Sequence, residues 1–183
     1  MAIRGVLFDW GGTIVRDDSL VVGAPTAAVA AFARERLALD VSDDGLERAF
    51  HAALPEYRPG ETDAAPHISR ILGEAFTWLG LAVGASEVES CARIFFRESS
   101  HGMVVYDDAR ALLASLRYRG YKTAVVTNAI FPAALFEPKV NELGLAGYID
   151  AFVASADVGL AKPNPSPYLK ALAAIGLEPQ EAI

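Results

Sequence analysis

The sequence predicts an open α/β fold, a parallel sheet with an all-helical segment inserted after its first strand. Three observations point there. β-like runs occur at residues 3–8, 121–126 and 148–154, each ending in polar or turn residues. Helical patterns follow the second and third runs, and strands alternating with helices imply parallel strands joined by right-handed crossovers. Between Arg16 and Met103 the apolar spacing is helical, with no credible β-run, internal repeat or low-complexity tract.

In chain order, the run Ile3-Arg4-Gly5-Val6-Leu7-Phe8 closes on Asp9 and passes into Trp10-Gly11-Gly12-Thr13-Ile14. A carboxylate at the carboxyl end of a first buried strand is where an open α/β sheet usually places its chemistry. In the insert, residues 27–39 are alanine-rich and amphipathic, and 45–54, 68–81 and 86–96 also read as helices. Ser86 with Glu89 makes a capping-box signature, and Pro55, Pro59, Gly60 and Gly84 punctuate the block. Placed straight after the first strand, such a block reads as a lid over that strand's tip; the alternative is a helical layer packed elsewhere on the sheet. Beyond it, Leu112, Leu113 and Leu116 share one face of a helix that stops at Gly120. Leu135, Val140 and Leu143 line another, interrupted by Pro138, and Leu169, Leu172 and Ala173 recur at helical spacing over 167–175. The expected domains are an α/β core of residues 1–15 and 105–183 and a helical insert of 16–104.

At 183 residues and 52% hydrophobic, the chain is long enough for one good core with a second, inserted one. A net charge of −7, with no basic stripe, argues against a nucleic-acid surface. The lone Cys91 lies in the apolar pattern Val88, Cys91, Ala92, Phe95 and reads as a packed core thiol. The first residues lack the charged and apolar regions of a signal peptide. No apolar stretch approaches the roughly 20 residues that span a bilayer. A soluble cytoplasmic protein, without membrane or nucleic-acid partners, is the expectation.

Taken alone, Asp9-Trp10-Gly11-Gly12-Thr13 says little, since any strand can end in Asp and turn on Gly. Two further segments add to it: Ala124-Val125-Val126-Thr127-Asn128, and Asp157-Val158-Gly159-Leu160-Ala161-Lys162-Pro163-Asn164-Pro165. Each has a bland reading. Thr127 and Asn128 could cap the next helix, Lys162 could be a solvated side chain, and Gly12 could serve only its turn. Their joint order around a helical insert resembles the haloacid dehalogenase-like (HAD) hydrolase superfamily, helical-cap type, phosphoglycolate-phosphatase-like in outline. The resemblance covers essentially the whole chain and implies a Rossmann-like core. Its most specific part is Gly159-x-x-Lys162-Pro163-x-Pro165.

The resemblance implies catalytic roles for Asp9, Thr127 and Lys162. It implies substrate binding by Gly11, Gly12, Thr127, Asn128 and Lys162, and Mg2+ held by Asp9 and the Gly11 carbonyl. The residue types suit those roles. An ionised aspartate can attack phosphorus or carbon and form an ester that water later cleaves. A nearby ammonium or divalent cation favours the ionised carboxylate, and an ammonium also neutralises a transferring phosphoryl group. Thr127 offers a hydroxyl, it and Asn128 offer backbone donors at a strand end, and glycines let backbone N–H groups approach the same phosphate oxygens. Arg58, His67 and Arg97 are the insert residues considered for substrate recognition.

Two departures set the limits. The family's first motif reads Asp-x-Asp-Gly-Thr-Leu, and Gly11 stands where the second aspartate acts as acid and base. Losing such a group costs on the order of 10² to 10⁴ in rate. The family's fourth, acidic motif would follow the Lys-Pro helix, but the chain stops at Glu178-Pro179-Gln180-Glu181-Ala182-Ile183. The expectation is a C-terminally truncated core, with residues 6–8 an unpaired apolar edge and magnesium held weakly. Phosphonoacetaldehyde hydrolases match a small residue at position 11, but need an insert lysine that this chain lacks. Three readings stay open: a magnesium-dependent hydrolase of small phosphorylated metabolites, a haloacid-dehalogenase-like hydrolase using Asp9 on carbon, and a non-catalytic remnant binding a phosphorylated ligand or a protein. A homodimer is also left open.

Overall fold

The computed structural model describes residues 2–17, 23–54 and 64–183. Its main sheet is parallel, with strands β1 (Gly5–Phe8), β4 (Lys122–Thr127) and β5 (Ala151–Ala154) in the order β1-β4-β5. Register pairs Phe8 with Val125, and Thr127 with Ala154. The middle strand β4 is buried from Thr123 onward, as a parallel strand covered on both faces must be. Alternation then divides its side chains. Val125 faces a cluster with Trp10, Phe136 and Leu113, whereas Ala124 and Val126 face Leu172 and Ile175.

The first of those layers comes from helices α5 (Asp107–Tyr118) and α6 (Ala133–Glu142), the second from α7 (Ser166–Ile175). Helix α5 ends where expected, with Gly120 at φ 79°. Its face is narrower than the leucine spacing implies: Leu113 is buried but Leu112 is exposed. Helix α6 runs through Pro138 instead of breaking there. In α7 the buried face is Pro167, Ala171, Leu172 and Ile175, with Leu169 and Ala173 exposed. A glycine-free amphipathic run permits several helical phases, and the sheet selects the one whose side chains fill the gap above β4.

Between β1 and β4 the chain forms α1 (Ala24–Leu37), α2 (Asp43–Ala53), α3 (Ile68–Trp78) and α4 (Ala85–Ser99). These pack on one another around their own core. In α3, Ile68, Ile71, Leu72, Ala75 and Phe76 are buried at helical spacing. Cys91 is fully buried in this core, and burial pushes its thiol up to about 11, so it is inert packing. The expected capping box of Ser86 and Glu89 does not form. Helix α4 starts one residue earlier, from Gly84 as N-cap, and Ser86 instead donates to Glu87. A capping box does form at Glu178 and Glu181.

A short antiparallel ribbon, β2 (Val15–Asp17) with β3 (Met103–Val105), joins the entry and exit of the helical segment. No period in the sequence marks it, because three-residue strands carry too few alternations. The outer edge of β1 also differs from expectation. Leu7 donates to the Ile183 carbonyl at 2.7 Å, Arg4 donates to that of Glu181 at 2.7 Å, and Ala182 bridges Gly5 in parallel. Residues 181–183 thus lie along β1 as far as Leu7, so the edge is not bare there. No helix among the described residues is long and apolar enough to cross a membrane.

Asp150, just before β5, ties the sheet to α5. Its carboxylate accepts from the Thr123 amide at 2.8 Å and from Arg117 at 2.9 Å, with Lys122 at 3.6 Å. Burial pushes this carboxyl up, but the Thr123 amide, Arg117 and Lys122 together outweigh it and hold it below its usual range. A carboxyl lowered on folding stabilises above its unfolded pKa of about 3.9, and that contribution is lost as pH falls through the folded value. Asp150→Asn should therefore cost about 1–3 kcal/mol at neutral pH, because whichever way the amide turns, its NH2 would face either the Thr123 N–H or Arg117. Urea unfolding should show the gap to wild type narrowing below about pH 4; a constant gap would mean that the charge contributes nothing.

Candidate active site

The carboxyl ends of β1, β4 and β5 lie side by side, and each delivers one part of the site. Asp9 follows β1, Thr127 closes β4 with Asn128 next, and Lys162 lies in the loop after β5. This is the crevice where open α/β sheets bind ligands. The Lys162 ammonium reaches across it, 3.0 Å from Asp9 Oδ1 and donating at 2.7 Å to the Val126 carbonyl. Lys162 is mostly buried, whereas the Asp9 side chain is 45% exposed. Asp9 Oδ1 also accepts from the Trp10 N–H at 2.7 Å. The remaining oxygen, Oδ2, accepts no hydrogen bond among the described residues. One carboxylate oxygen is thus held by two donors while the other is open.

The Asn128 side chain has a task of its own, apart from the backbone donor expected of this residue. Its side-chain Oδ1 accepts from the Lys162 N–H at 2.7 Å, and its Nδ2 donates to the Lys162 carbonyl at 3.0 Å. Both ends of the amide are spent on one residue's backbone, as a neighbouring strand would spend a peptide group. Asn128 is therefore a positioning residue for Lys162. Ser155 and Asp157, which the sequence reading did not single out, work alongside it. The Ser155 hydroxyl accepts from the Ala129 amide at 3.0 Å and donates to its carbonyl at 3.1 Å. Asp157 accepts from the Ala133 amide at 2.7 Å at the start of α6. Asp and Ser at a strand end were the available signal, but such residues equally make turns.

Thr127 is buried at the tip of β4, and no hydrogen bond of its hydroxyl is found among the described residues. Gly11 and Gly12 part company. The Gly12 N–H already donates to the Val15 carbonyl at 2.8 Å, so the expected donor to phosphate is engaged in its own turn. Gly12 is needed for its φ of 75°. Gly11 has no such φ, and a Cβ there would meet nothing within 4 Å. Trp10 turns inward, edge-on to Phe136 and Phe152, and its buried indole N–H finds no partner among the described residues.

The helical segment touches the site loops on two sides. The Ile68 amide donates to the Ile130 carbonyl at 2.7 Å, and the Ala65 amide to that of Gly159 at 2.9 Å. His67 lies between them, with Nδ1 accepting from the Ser69 amide at 3.2 Å as the N-cap of α3. Arg97 is on the exposed side of α4, paired with Glu98 at 2.8 Å, and makes no bond to the site. Arg58 lies outside the described residues.

The family model of haloacid dehalogenase-like hydrolases matches residues 3–183. A phosphoserine phosphatase of Thermus thermophilus is 36% identical over 120 residues, which are 65% of this chain and 46% of that one. A phosphoglycolate phosphatase of Yersinia pseudotuberculosis is 27% identical over 186 residues, covering 100% of this chain and 72% of that one. In fold, a 2-haloacid dehalogenase from Pseudomonas syringae aligns with a TM-score of 0.61 at 24% identity, over 98% of this chain and 76% of that one.

The two glycines should respond differently to a methyl group. Gly11→Ala should leave stability unchanged or raise it by up to about 1 kcal/mol, since it only narrows the unfolded ensemble. Gly12→Ala should lose about 1–2 kcal/mol to left-handed strain. Denaturant unfolding of both variants checks this, and equal losses would show that the turn does not have this geometry.

Proposed function

Because the chain belongs to the haloacid dehalogenase-like hydrolases, we propose that it hydrolyses small phosphate monoesters through a phospho-aspartate on Asp9. The observation that carries this reading is the Lys162 ammonium 3.0 Å from Asp9, with Oδ2 of the same carboxylate open. The names of the phosphoserine and phosphoglycolate phosphatases it resembles supply the substrate class.

In the first step Oδ2 attacks phosphorus. The new O–P bond forms as the ester P–O bond breaks, and the electron pair leaves with the alkoxide or phenoxide. Lys162 neutralises charge on the transferring group, and Thr127 offers its hydroxyl to a phosphoryl oxygen. Water then attacks phosphorus as the Oδ2–P bond breaks, its proton passing to the departing phosphate or to solvent, which releases phosphate and restores the Asp9 carboxylate. Gly11 supplies no proton to the leaving oxygen, so the mechanism favours substrates whose leaving group departs as a stable anion.

Magnesium is the cofactor implied by the family resemblance. Among the described residues no group of three or more His, Cys, Asp or Glu side chains could hold a metal. The ligands that the resemblance implies are the Asp9 carboxylate and the Gly11 carbonyl. Mg2+ commonly keeps several waters and binds through one or two carboxylates plus substrate phosphates, so this sparse donor set suits an ion held weakly until substrate arrives. When bound, the ion would offset phosphoryl charge. The second reading, displacement of halide from carbon by Asp9, is favoured by one feature: halide leaves without a proton, so Gly11 carries no penalty. That reaction needs no metal, and a chelator separates the two.

Asp9→Asn should abolish turnover of p-nitrophenyl phosphate, and excess EDTA should do the same to wild type. An Asp9→Asn protein as active as wild type removes the covalent mechanism, and EDTA-resistant release of halide from a 2-haloacid would favour carbon chemistry. Gly11→Asp should raise kcat on alkyl phosphates more than on aryl phosphates, by at least about tenfold, because alkoxides most need the proton. Gly11 has no positive φ and a Cβ there meets nothing within 4 Å, so backbone strain does not explain a failure. Equal rates would mean that proton donation is not what limits catalysis.

A further inference from the structure

We propose a second ligand site, between α4 and α6, that takes a small organic anion with an apolar body. A cavity of about 370 Å³ opens there, within the size range of small-molecule pockets. Phe96, Leu135 and Pro138 supply its apolar wall. Arg93 and Arg97 line the α4 side one helical turn apart, about 6 Å along the axis, a spacing from which two long side chains can converge on one anionic head group. A chain of net charge −7 thus places two guanidinium groups beside an apolar wall.

The charges around the cavity orient the ligand. On the α6 side Lys139 is nearly buried and already neutralised by Glu142 at 2.8 Å. Glu142 also lines the cavity and would repel a second anion. The head group therefore belongs on α4 and the apolar body on Leu135 and Pro138. Among the described residues the arginines have only replaceable partners. Arg97 pairs with Glu98 at 2.8 Å while itself 71% exposed, and Arg93 donates to the Ser90 hydroxyl at 3.1 Å. Such exposed contacts are weak and easily exchanged for a ligand.

None of these residues belongs to the Asp9 crevice. The cavity nevertheless shares a wall with it, since Phe96 contacts Phe136 at 4.8 Å between ring centroids and Phe136 contacts Trp10 at 6.1 Å. The site is independent of the reaction proposed for Asp9, and it can be tested by binding alone.

Hexane-1-sulfonate is a suitable probe, because it pairs an anionic head with an alkyl body and has no phosphoester to cleave. Titration followed by amide chemical shifts should show saturable one-to-one binding, with shifts centred on residues 93–101 and 134–142. Sodium sulfate and hexanol should each bind far more weakly, and saturating orthophosphate should not displace the probe. The double variant Arg93→Gln, Arg97→Gln, checked for an unchanged melting curve, should weaken binding at least about tenfold. Absence of saturation, shifts centred on residues 9–12 and 160–163, displacement by orthophosphate, or equal affinity of the double variant would each overturn the proposal. If the double variant melts differently, Arg93→Lys with Arg97→Lys replaces it. That pair keeps the charge but loses bidentate geometry, and must still weaken binding.

Discussion

The candidate site depends on one buried cation that must satisfy two acceptors at once. Lys162 Nζ donates to the end of β4 at Val126 and pairs with the Asp9 carboxylate at the end of β1. A mostly buried ammonium is costly unless paired and hydrogen-bonded. The loop carrying it must therefore sit where both acceptors are in reach. The Asn128 amide meets that need by gripping the backbone of Lys162 at both ends, and Ser155 and Asp157 fasten β5 and its following turn to the segment after Asn128. The loops after two different strands become one polar unit at the sheet's edge.

The same arrangement explains why Asp9 is chemically divided. Trp10 N–H and Lys162 hold Oδ1 and leave Oδ2 unencumbered. A nucleophile benefits from that division, because the held oxygen fixes orientation while the open one keeps its lone pairs. The ring system behind it is apolar, with Trp10, Phe136 and Phe152 in contact. This wall gives the strand tip a rigid backing, since packed aromatic side chains resist displacement.

The helical segment bears on the site through its backbone. Ile68 and Ala65 donate to carbonyls in the two loops that follow Asn128 and precede Lys162. The start of α3 and the site loops are therefore geometrically linked, whatever side chains the segment presents to a ligand. His67, one of the residues singled out for recognition, is occupied at Nδ1 in capping α3, and Arg97 belongs to the other side of α4.

Much of this was legible in the residues themselves. The parallel core strands, the helices between and after them, and the positions of Asp9 and Thr127 follow from short-range patterns: apolar runs that end in polar residues, and periodicity on helix faces. Lys162 was legible through the resemblance of the Gly159-x-x-Lys162-Pro163-x-Pro165 segment. Local chemistry carries those signals, so the sequence by itself determined them. Tertiary structure decided what depends on partners distant in the chain. It spent the Asn128 side chain on Lys162 and the Gly12 amide on Val15, left Gly11 free of positive φ, and laid residues 181–183 along β1. It also settled the phases of α5 and α7 and formed the β2–β3 ribbon. A donor's identity is written at its own position, but its acceptor is set by which strand ends the fold brings within 3 Å.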